Sequence, residues 1–294
     1  MSHGTKVWTA LGAVYVIWGS TYLAIAIAVE TLPPLFAVST RFILAGAIMA
    51  LVVRARGGSL RVSRAALASC VLVGCLLPGA NAVLFFAERD VPTGLASLII
   101  ASVPLWVVVL RLAARERLPT GAIIGVGVGF AGVALLLRPS GGATALGIGL
   151  CVVSAVMWSL GSFLSARLPM PDDPFAATTY EMLGGGIVML PFGLATAGSL
   201  SPSWASIAAW IYLVTIGSVV GYTAYVWLLA HAPLGTVSTY AYVNPVVAIA
   251  LGVAFRGEHL TGRILIGAAI VVASVAVVVR REPPAATIPE EGVR

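Results

Sequence analysis

The chain has 294 residues, of which 60% are hydrophobic and only 10% are charged, and its mean hydropathy is +1.03. Soluble domains carry about a quarter charged residues, so this composition excludes a water-soluble fold and predicts an integral membrane protein. The net charge of +6 does not indicate nucleic-acid binding, because the arginines cluster at the ends of apolar segments, where they orient membrane helices.

Apolar runs bounded by proline, glycine or charge predict ten helices, each close to the ~20 residues that cross a bilayer. In chain order they cover approximately 7–29, 33–53, 66–87, 92–113 and 121–138, then 144–166, 174–197, 205–229, 233–255 and 261–280. The first run is longer than the ~7–15 apolar residues of a secretory signal core, so we interpret it as a spanning helix. The last residues, 282–294, are predicted to form a disordered cytoplasmic tail.

Internal similarity divides these helices into two halves. Segment 91–104 aligns with 232–245, and 115–121 with 256–262; likewise 15–24 resembles 156–166, and 34–40 resembles 174–180. Each half would contain five helices, an odd number, so the halves should insert in opposite orientations as inverted repeats. We therefore predict an all-α membrane protein with a first repeat over 1–140 and a second over 141–281.

The basic residues predict the orientation in the membrane. If the N-terminus is cytoplasmic, most Lys and Arg residues fall in the inside loops, and the outside loops hold Arg89, Arg138, Arg256 and Arg263. This asymmetry favours a multi-pass protein with both termini in the cytoplasm.

Several short motifs carry a family resemblance that extends over residues 7–281. They are Trp18-Gly19-Ser20 in the first helix, Arg41-Phe42 in the second, and the Pro-to-Glu segments that end the fourth and ninth helices. With the two five-helix halves, these motifs resemble EamA-type transporters of the drug/metabolite transporter superfamily, most of all the bacterial inner-membrane exporters of amino acids and related metabolites.

The resemblance implies a basket of helices around a central cavity, lined mainly by helices one to four and six to nine. Helices five and ten would pack together at one side. The substrates of the family include amino acids, purines, sugar phosphates and nucleotide sugars.

Two charged residues lie alone within predicted spans. Arg41 has no charged neighbour over 33–53, and Glu181 is equally isolated in its span. A charge at the bilayer centre costs at least ~2.5 kcal/mol, so both should face a polar interior or a partner. Arg41 could clamp a substrate carboxylate or phosphate, or belong to a structural polar network. Glu181, next to the repeat mate of Arg41, Tyr180, could carry a proton, hold a substrate ammonium group or pair with Arg41.

Aromatic and amide side chains at mid-helix positions predict the cavity wall, although an aromatic belt at the membrane interface is the alternative interpretation. Tyr15, Trp18 and Tyr22 share one face of the first helix, and Trp158 is the repeat mate of Trp18. The predicted substrate-binding residues are Trp18, Tyr22, Arg41, Asn81, Trp158, Tyr180, Glu181, Tyr222, Tyr225, Tyr240 and Asn244.

Two further patterns concern the helix ends and helix packing. Glu116 and Glu258 follow the fourth and ninth helices and could cap the next helix, pair with a neighbouring arginine or act in gating. Gly121, Gly125 and Gly129 form small-xxx-small steps in the fifth helix, which suit packing against the tenth helix or a dimer seam.

No catalytic constellation, metal-ligand cluster or P-loop is visible in the sequence. Cys70, Cys75 and Cys151 lie in apolar segments without metal-ligand spacing. We therefore expect no enzyme activity, no cofactor and no metal, and predict a secondary transporter that exports small metabolites, amino acids above all, by alternating access. The alternatives are a passive facilitator or channel, an exporter of drugs, nucleosides or phosphorylated metabolites, and an intramembrane enzyme.

The expected partners follow from this prediction. They are a small-molecule substrate, the lipid bilayer and protons as a coupling ion, with no nucleic acid, and the chain is expected to be a monomer or a weak homodimer.

Overall fold

The computed structural model describes residues 2–137 and 142–281, and this part of the chain contains helices and no strand. The helices are α1 His3–Ala28, α2 Pro34–Ala55, α3 Arg64–Ala87, α4 Thr93–Ile100, α5 Val103–Ala113, α6 Thr120–Leu136, α7 Ala145–Ser165, α8 Pro174–Thr196, α9 Trp204–Tyr212, the π-helical segment Leu213–Val220, α10 Gly221–His231, α11 Leu234–Val237, α12 Tyr240–Arg256 and α13 Gly262–Arg281. Arg138 and the predicted tail 282–294 lie outside the described residues.

These elements confirm the ten predicted helices, three of which are interrupted. The fourth is divided into α4 and α5, the eighth contains the π-helical segment between α9 and α10, and the ninth is divided into α11 and α12. Hydropathy from the sequence does not reveal such interruptions, because the broken helices remain apolar throughout.

Side-chain caps explain where several helices begin. Each capping residue precedes its helix in an extended conformation and accepts a hydrogen bond from a backbone N–H of the first turn. These residues are Ser2, Ser63, Thr144, Asp173 and Ser203. Pro34 and Pro174 start α2 and α8, where the missing N–H costs no hydrogen bond.

Six helices are long and apolar enough to cross a membrane by length and composition: His3–Ala28, Pro34–Ala55, Arg64–Ala87, Thr93–Ala113, Ala145–Ser165 and Trp204–His231. Shorter apolar helices cover Thr120–Leu136, Tyr240–Arg256 and Gly262–Val278. The remaining helix, α8, has 23 residues but includes Glu181 and a run of three glycines, which lower its hydropathy. The chain is therefore a multi-pass helical membrane protein.

The most extensive packing joins the two halves of the chain. α2 packs on α8, α3 packs on α7 and α8, and α1 packs on α12. α6 packs on α13, as the resemblance implied: a Cβ on Gly125 would lie 2.9 Å from Val278, and one on Gly132 would lie 2.7 Å from Ile270. The glycines of α6 thus allow close helix contact within the chain.

The helix pairs occur in repeat-related sets. α1 lies against α12 and the α9–α10 region, as α7 lies against α4, α5 and α3. This pattern is what two related halves would produce. The opposite orientation of the halves and the boundary at 140/141 stay predictions.

Candidate functional site

A cavity of about 120 Å³ lies in the middle of the helix bundle, bordered by α1–α5, α7, the π-helical segment, α10 and α12. Most of the predicted site residues border it, and none of the described lining residues is acidic. The predicted residues in its wall are Trp18, Tyr22, Arg41, Asn81, Trp158, Tyr222, Tyr240 and Asn244. The fold thus brings together predicted site residues from both halves of the chain.

Three predicted site residues lie outside the cavity lining. Tyr180 reaches the loop after α2, where its hydroxyl donates to the carbonyl oxygen of Leu60. Glu181 is half-buried on α8, within electrostatic reach of Cys70 and Tyr222. Tyr225 lies behind the wall, with its ring 5.0 Å from that of Trp18. Their roles in substrate binding stay untested predictions.

Arg41 supplies the cationic group of the cavity wall. Its side chain is only 3% exposed, and Nε donates a hydrogen bond of 3.1 Å to the hydroxyl oxygen of Ser218. The guanidinium also lies 4.9 Å from the centroid of the Phe42 ring. Nη1 is enclosed and has no partner among the described residues. Arg41 therefore retains a donor for which the described part of the chain provides no acceptor.

The π-helical segment positions the partner of Arg41. Its wider turns place the Ser218 hydroxyl at Arg41 and the carbonyl oxygen of Gly217 at Trp18, whose Nε1 donates to it at 3.2 Å. Gly221 must be small, because a Cβ there would lie 2.6 Å from Trp18 Nε1. π-helical turns are frequent at functional sites, and this one joins the polar contacts of α1 and α2.

Trp18 is the centre of an aromatic cluster that forms one side of the cavity. Its ring centroid lies 5.3 Å from that of Tyr222, at an interplanar angle of 63°, and 5.1 Å from that of Tyr240, at 84°. Tyr225 and Tyr240 pack edge to face behind it. Such arrangements stabilise pairs of rings by about 0.5–1.5 kcal/mol beyond area burial, so the wall should be rigid.

Two prolines at the interrupted helices provide backbone acceptors. Pro104 and Pro245 both border the cavity and occupy equivalent places in the internal alignment. A proline lacks the N–H that would bond the carbonyl four residues earlier. The carbonyls of Ile100 and Ala241, which also border the cavity, therefore lack their normal α-helical partner.

Glu116 and Glu258 make different contacts at the two ends of the bundle. Glu116 accepts a hydrogen bond of 2.7 Å from Arg111 and pairs with Arg167, and these contacts, that of Arg111 first, lower the pKa of Glu116. Glu258 makes no pair with its neighbour Arg256 in the described structure. It accepts the backbone N–H groups of Thr93 and Gly94 at 2.6 and 2.9 Å and thereby caps α4.

Sequence reasoning missed several of these residues. The sequence does not predict the contacts of Gly217 and Ser218, because a π-helical turn does not change the hydropathy of a segment. Pro104 and Pro245 are visible in the sequence, but hydropathy does not show that the carbonyls four residues earlier face the cavity. Glu258 was considered as a cap, although for the helix that follows it rather than for α4.

Apolar helices that cross the bilayer and surround a small cavity with a few polar groups are typical of a membrane transport protein. The model of the EamA-like transporter family matches the chain twice, over residues 6–138 and 145–280. The chain belongs to the EamA-like transporter family.

Relatives of known name agree with this assignment. The chain is 33% identical over 258 residues to the uncharacterized inner membrane transporter YedA of Escherichia coli K12, with 86% of this chain and 83% of YedA covered. It is 26% identical to a probable amino-acid metabolite efflux pump of Salmonella typhimurium, covering 88% of this chain and 90% of the pump. A solved crystal structure with 24% identity and a TM-score of 0.64 covers 94% of this chain and 96% of its own, and shows the same fold.

Replacing Ser218 with Ala removes the acceptor of the Arg41 Nε hydrogen bond. Because hydrogen bonds to buried charged groups stabilise proteins by about 1.5–3 kcal/mol, we expect Ser218→Ala to lower the melting temperature in detergent by several degrees. Thr215→Ala in the same segment is the control, since Thr215 is exposed and bonds only its own helix. Equal melting of the two variants would contradict the role given to Ser218.

Proposed function

We propose that the chain is a secondary transporter that exports small metabolites, specifically amino acids or related compounds, across the inner membrane by alternating access. The observation that carries the proposal is Arg41 in the cavity wall with an unpartnered Nη1. A carboxylate of the substrate would satisfy this donor, because guanidinium groups match carboxylates in charge and planar geometry. The aromatic cluster around Trp18 would then contact the side chain of the substrate.

The chemistry of the cavity wall favours an amino acid over the other substrate classes. Arg41 is the sole cation among the described lining residues, whereas a doubly charged phosphate would call for more than one. Nucleosides have no anionic group for Arg41. Drug-sized ligands occupy pockets of ~300–1,000 Å³, larger than the cavity here. The name of the Salmonella relative points to the same class.

The carbonyls of Ile100 and Ala241, which lack their normal α-helical partner, supply a place for the substrate ammonium group. No acidic side chain is present among the described lining residues, so neutral oxygens, these carbonyls among them, would accept its hydrogen bonds. Carbonyls of interrupted helices bind cationic species in other transporters built from repeats. A zwitterion would thus be held by Arg41 at one group and by these carbonyls at the other.

Alternating access would make and break the contacts of Glu116 and Glu258 at the two ends of the bundle in turn. Under the orientation predicted from the basic residues, both termini are cytoplasmic, the Glu116 contacts face the cytoplasm, and the Glu258 contacts face outward. The interrupted helices α4–α5 and α11–α12 lie at equivalent places beside the cavity and can bend there. A passive facilitator, the alternative, would conduct without exchange, whereas a carrier accelerates exchange of a labelled for an unlabelled substrate.

The glycines of α6 favour a monomer within this proposal. Gly125 and Gly132 already pack against α13 of the same chain, so they are not left available for a dimer seam.

Proton coupling through Glu181 is the less direct part of the proposal. Glu181 is within electrostatic reach of Cys70 on α3 and of Tyr222 in the cavity wall, so its protonation would change the electrostatic potential at the site. If export is proton antiport, acidifying the outer compartment should accelerate it. Downhill efflux would leave transport unchanged by an imposed pH gradient, and that measurement separates the two modes.

Replacing Arg41 with Ala should abolish amino-acid counterflow in proteoliposomes while the protein still inserts into the membrane. Loss of a charge-assisted contact to the substrate carboxylate is expected to reduce transport by at least about tenfold. Arg64→Ala, which removes an exposed arginine at the start of α3, is the matched control and should leave transport unchanged. Retained transport in Arg41→Ala would refute the clamp, and a failure of that variant to fold would assign Arg41 to the structural network instead.

Replacing Pro245 with Ala restores an N–H to the carbonyl of Ala241 and should weaken recognition of the ammonium group. We expect a lower affinity for an amino acid but little change for its deaminated analogue, since the contact with Arg41 is retained. Competition by both compounds in the counterflow assay measures this difference. Pro191→Ala, in an exposed part of α8 away from the cavity, is the control. A parallel loss for both compounds would show that Pro245 acts only on helix shape.

A further inference from the structure

Where α3 finishes and α4 begins, a contact joins the two halves of the chain, and we call this contact the Glu258 seal. It consists of the Glu258 carboxylate and the N–H groups of Thr93 and Gly94, at 2.6 and 2.9 Å. α4 has no side-chain cap of its own, because Pro92 precedes it. A carboxylate at a helix N-terminus is favourable, so Glu258 stabilises the closed arrangement.

The carboxylate of Glu88 lies beside this seal and has no hydrogen-bond partner among the described residues. It directly follows α3, only 5% of it is exposed, and both carboxylate oxygens lack a partner among the described residues. Its neighbours in sequence, Arg89 and Asp90, are exposed. The side chain of Glu88 is thus enclosed, although the segment that carries it reaches the surface.

The charged and titratable groups around Glu88 do not neutralise it. Glu258 and Arg256 face it from the end of α12, Tyr22 from α1 and Cys151 from α7. Arg256 is already paired with Glu30, and both oxygens of Glu258 are engaged at α4. The nearby cation, Arg256, is therefore engaged elsewhere, and Glu258 carries a charge of the same sign as Glu88.

An enclosed carboxylate without a donor or counter-ion is strongly destabilised in its ionised form. Burial first, and the negative charge of Glu258 second, raise the pKa of Glu88 well above its usual range, while Arg256 opposes the shift. The neutral acid is the form that this environment accommodates.

We propose that Glu88 is a proton-binding site of the Glu258 seal, occupied while the seal is closed and emptied when the seal opens and water reaches the carboxylate. This inference rests on the proposed transport function only for the assumption that the seal opens during the cycle. Glu88 is distinct from the cavity residues and from Glu181, and its ligand is a proton taken from the compartment at that end.

The direction of the pH effect follows from linkage. The closed seal binds a proton that the open seal releases, so closing takes up a proton over the pH range between the two pKa values of Glu88. Lowering the pH at this end stabilises the closed state, and raising the pH favours opening.

The test measures opening of the seal without any substrate. The full-length chain, with its three cysteines replaced by Ser, carries Val91→Cys, a position that is 4% exposed beside the seal, and is labelled in proteoliposomes with an impermeant maleimide. A parallel chain with Arg89→Cys, an exposed site, corrects for the intrinsic pH dependence of the reagent. We expect the corrected labelling rate to rise severalfold from about pH 6 to about pH 8. Glu88→Gln mimics the protonated acid, so this variant should label slowly at every pH.

Control variants distinguish Glu88 from its neighbours. Asp90→Asn, which removes the exposed carboxylate two residues away, should keep the pH dependence of the unaltered chain. Should Glu88→Gln insert poorly, Glu88→Met provides an uncharged side chain of similar size for the same measurement. A pH dependence that survives in both uncharged variants, or its absence in the unaltered chain, would overturn the proposal.

Exchange of sodium for potassium at constant pH separates a proton from a metal ion at the same carboxylate. Labelling that responds to sodium and not to pH would overturn the assignment of a proton. Because labelling needs no substrate, a chain that shows the expected pH response but no counterflow would refute the proposed transport and leave the proton site in place.

Discussion

Arg41 can remain buried among apolar helices only because a second helix supplies an acceptor at the same depth. The Ser218 hydroxyl fills this role at 3.1 Å, and it reaches Arg41 from a π-helical segment whose turns are wider than those of an α-helix. The same segment presents the Gly217 carbonyl to Trp18. The position of the cation, the aromatic cluster and the close approach of α1 all depend on this local departure from α-helical geometry.

The helices and much of the cavity wall could be predicted from the sequence, because hydropathy and internal repetition are one-dimensional signals. Lone charges and mid-helix aromatic residues such as Arg41 and Trp158 follow from the cost of polar groups in a bilayer. Repeat alignment does not predict the surroundings of Tyr180, because it matches positions along a helix but not the direction in which each side chain points. Tyr180 is the repeat mate of Arg41, yet it turns toward Leu60 and away from the cavity.

Contacts that depend on a distant part of the chain were beyond prediction. Glu258 and Thr93 are 165 residues apart, and nothing in either segment specifies that a carboxylate after α12 caps α4. The corresponding turn shows the other outcome, since Glu116 bonds nearby arginines at the opposite end. Similar sequences thus place a helix cap at one end of the bundle and an exposed ion pair at the other, and salt screens the exposed pair.

The preference of helices for partners in the opposite half has a consequence for biosynthesis. Arg41 meets its acceptor 177 residues later in the chain, and α2, α3 and α6 find their main neighbours in α7, α8 and α13. While the ribosome is still translating the second half, the first half must sit in the membrane with its guanidinium unbonded and its packing faces against lipid. The insertion machinery, or an accompanying chaperone, therefore has to hold the five helices of the first half until the second half is inserted and packs against them.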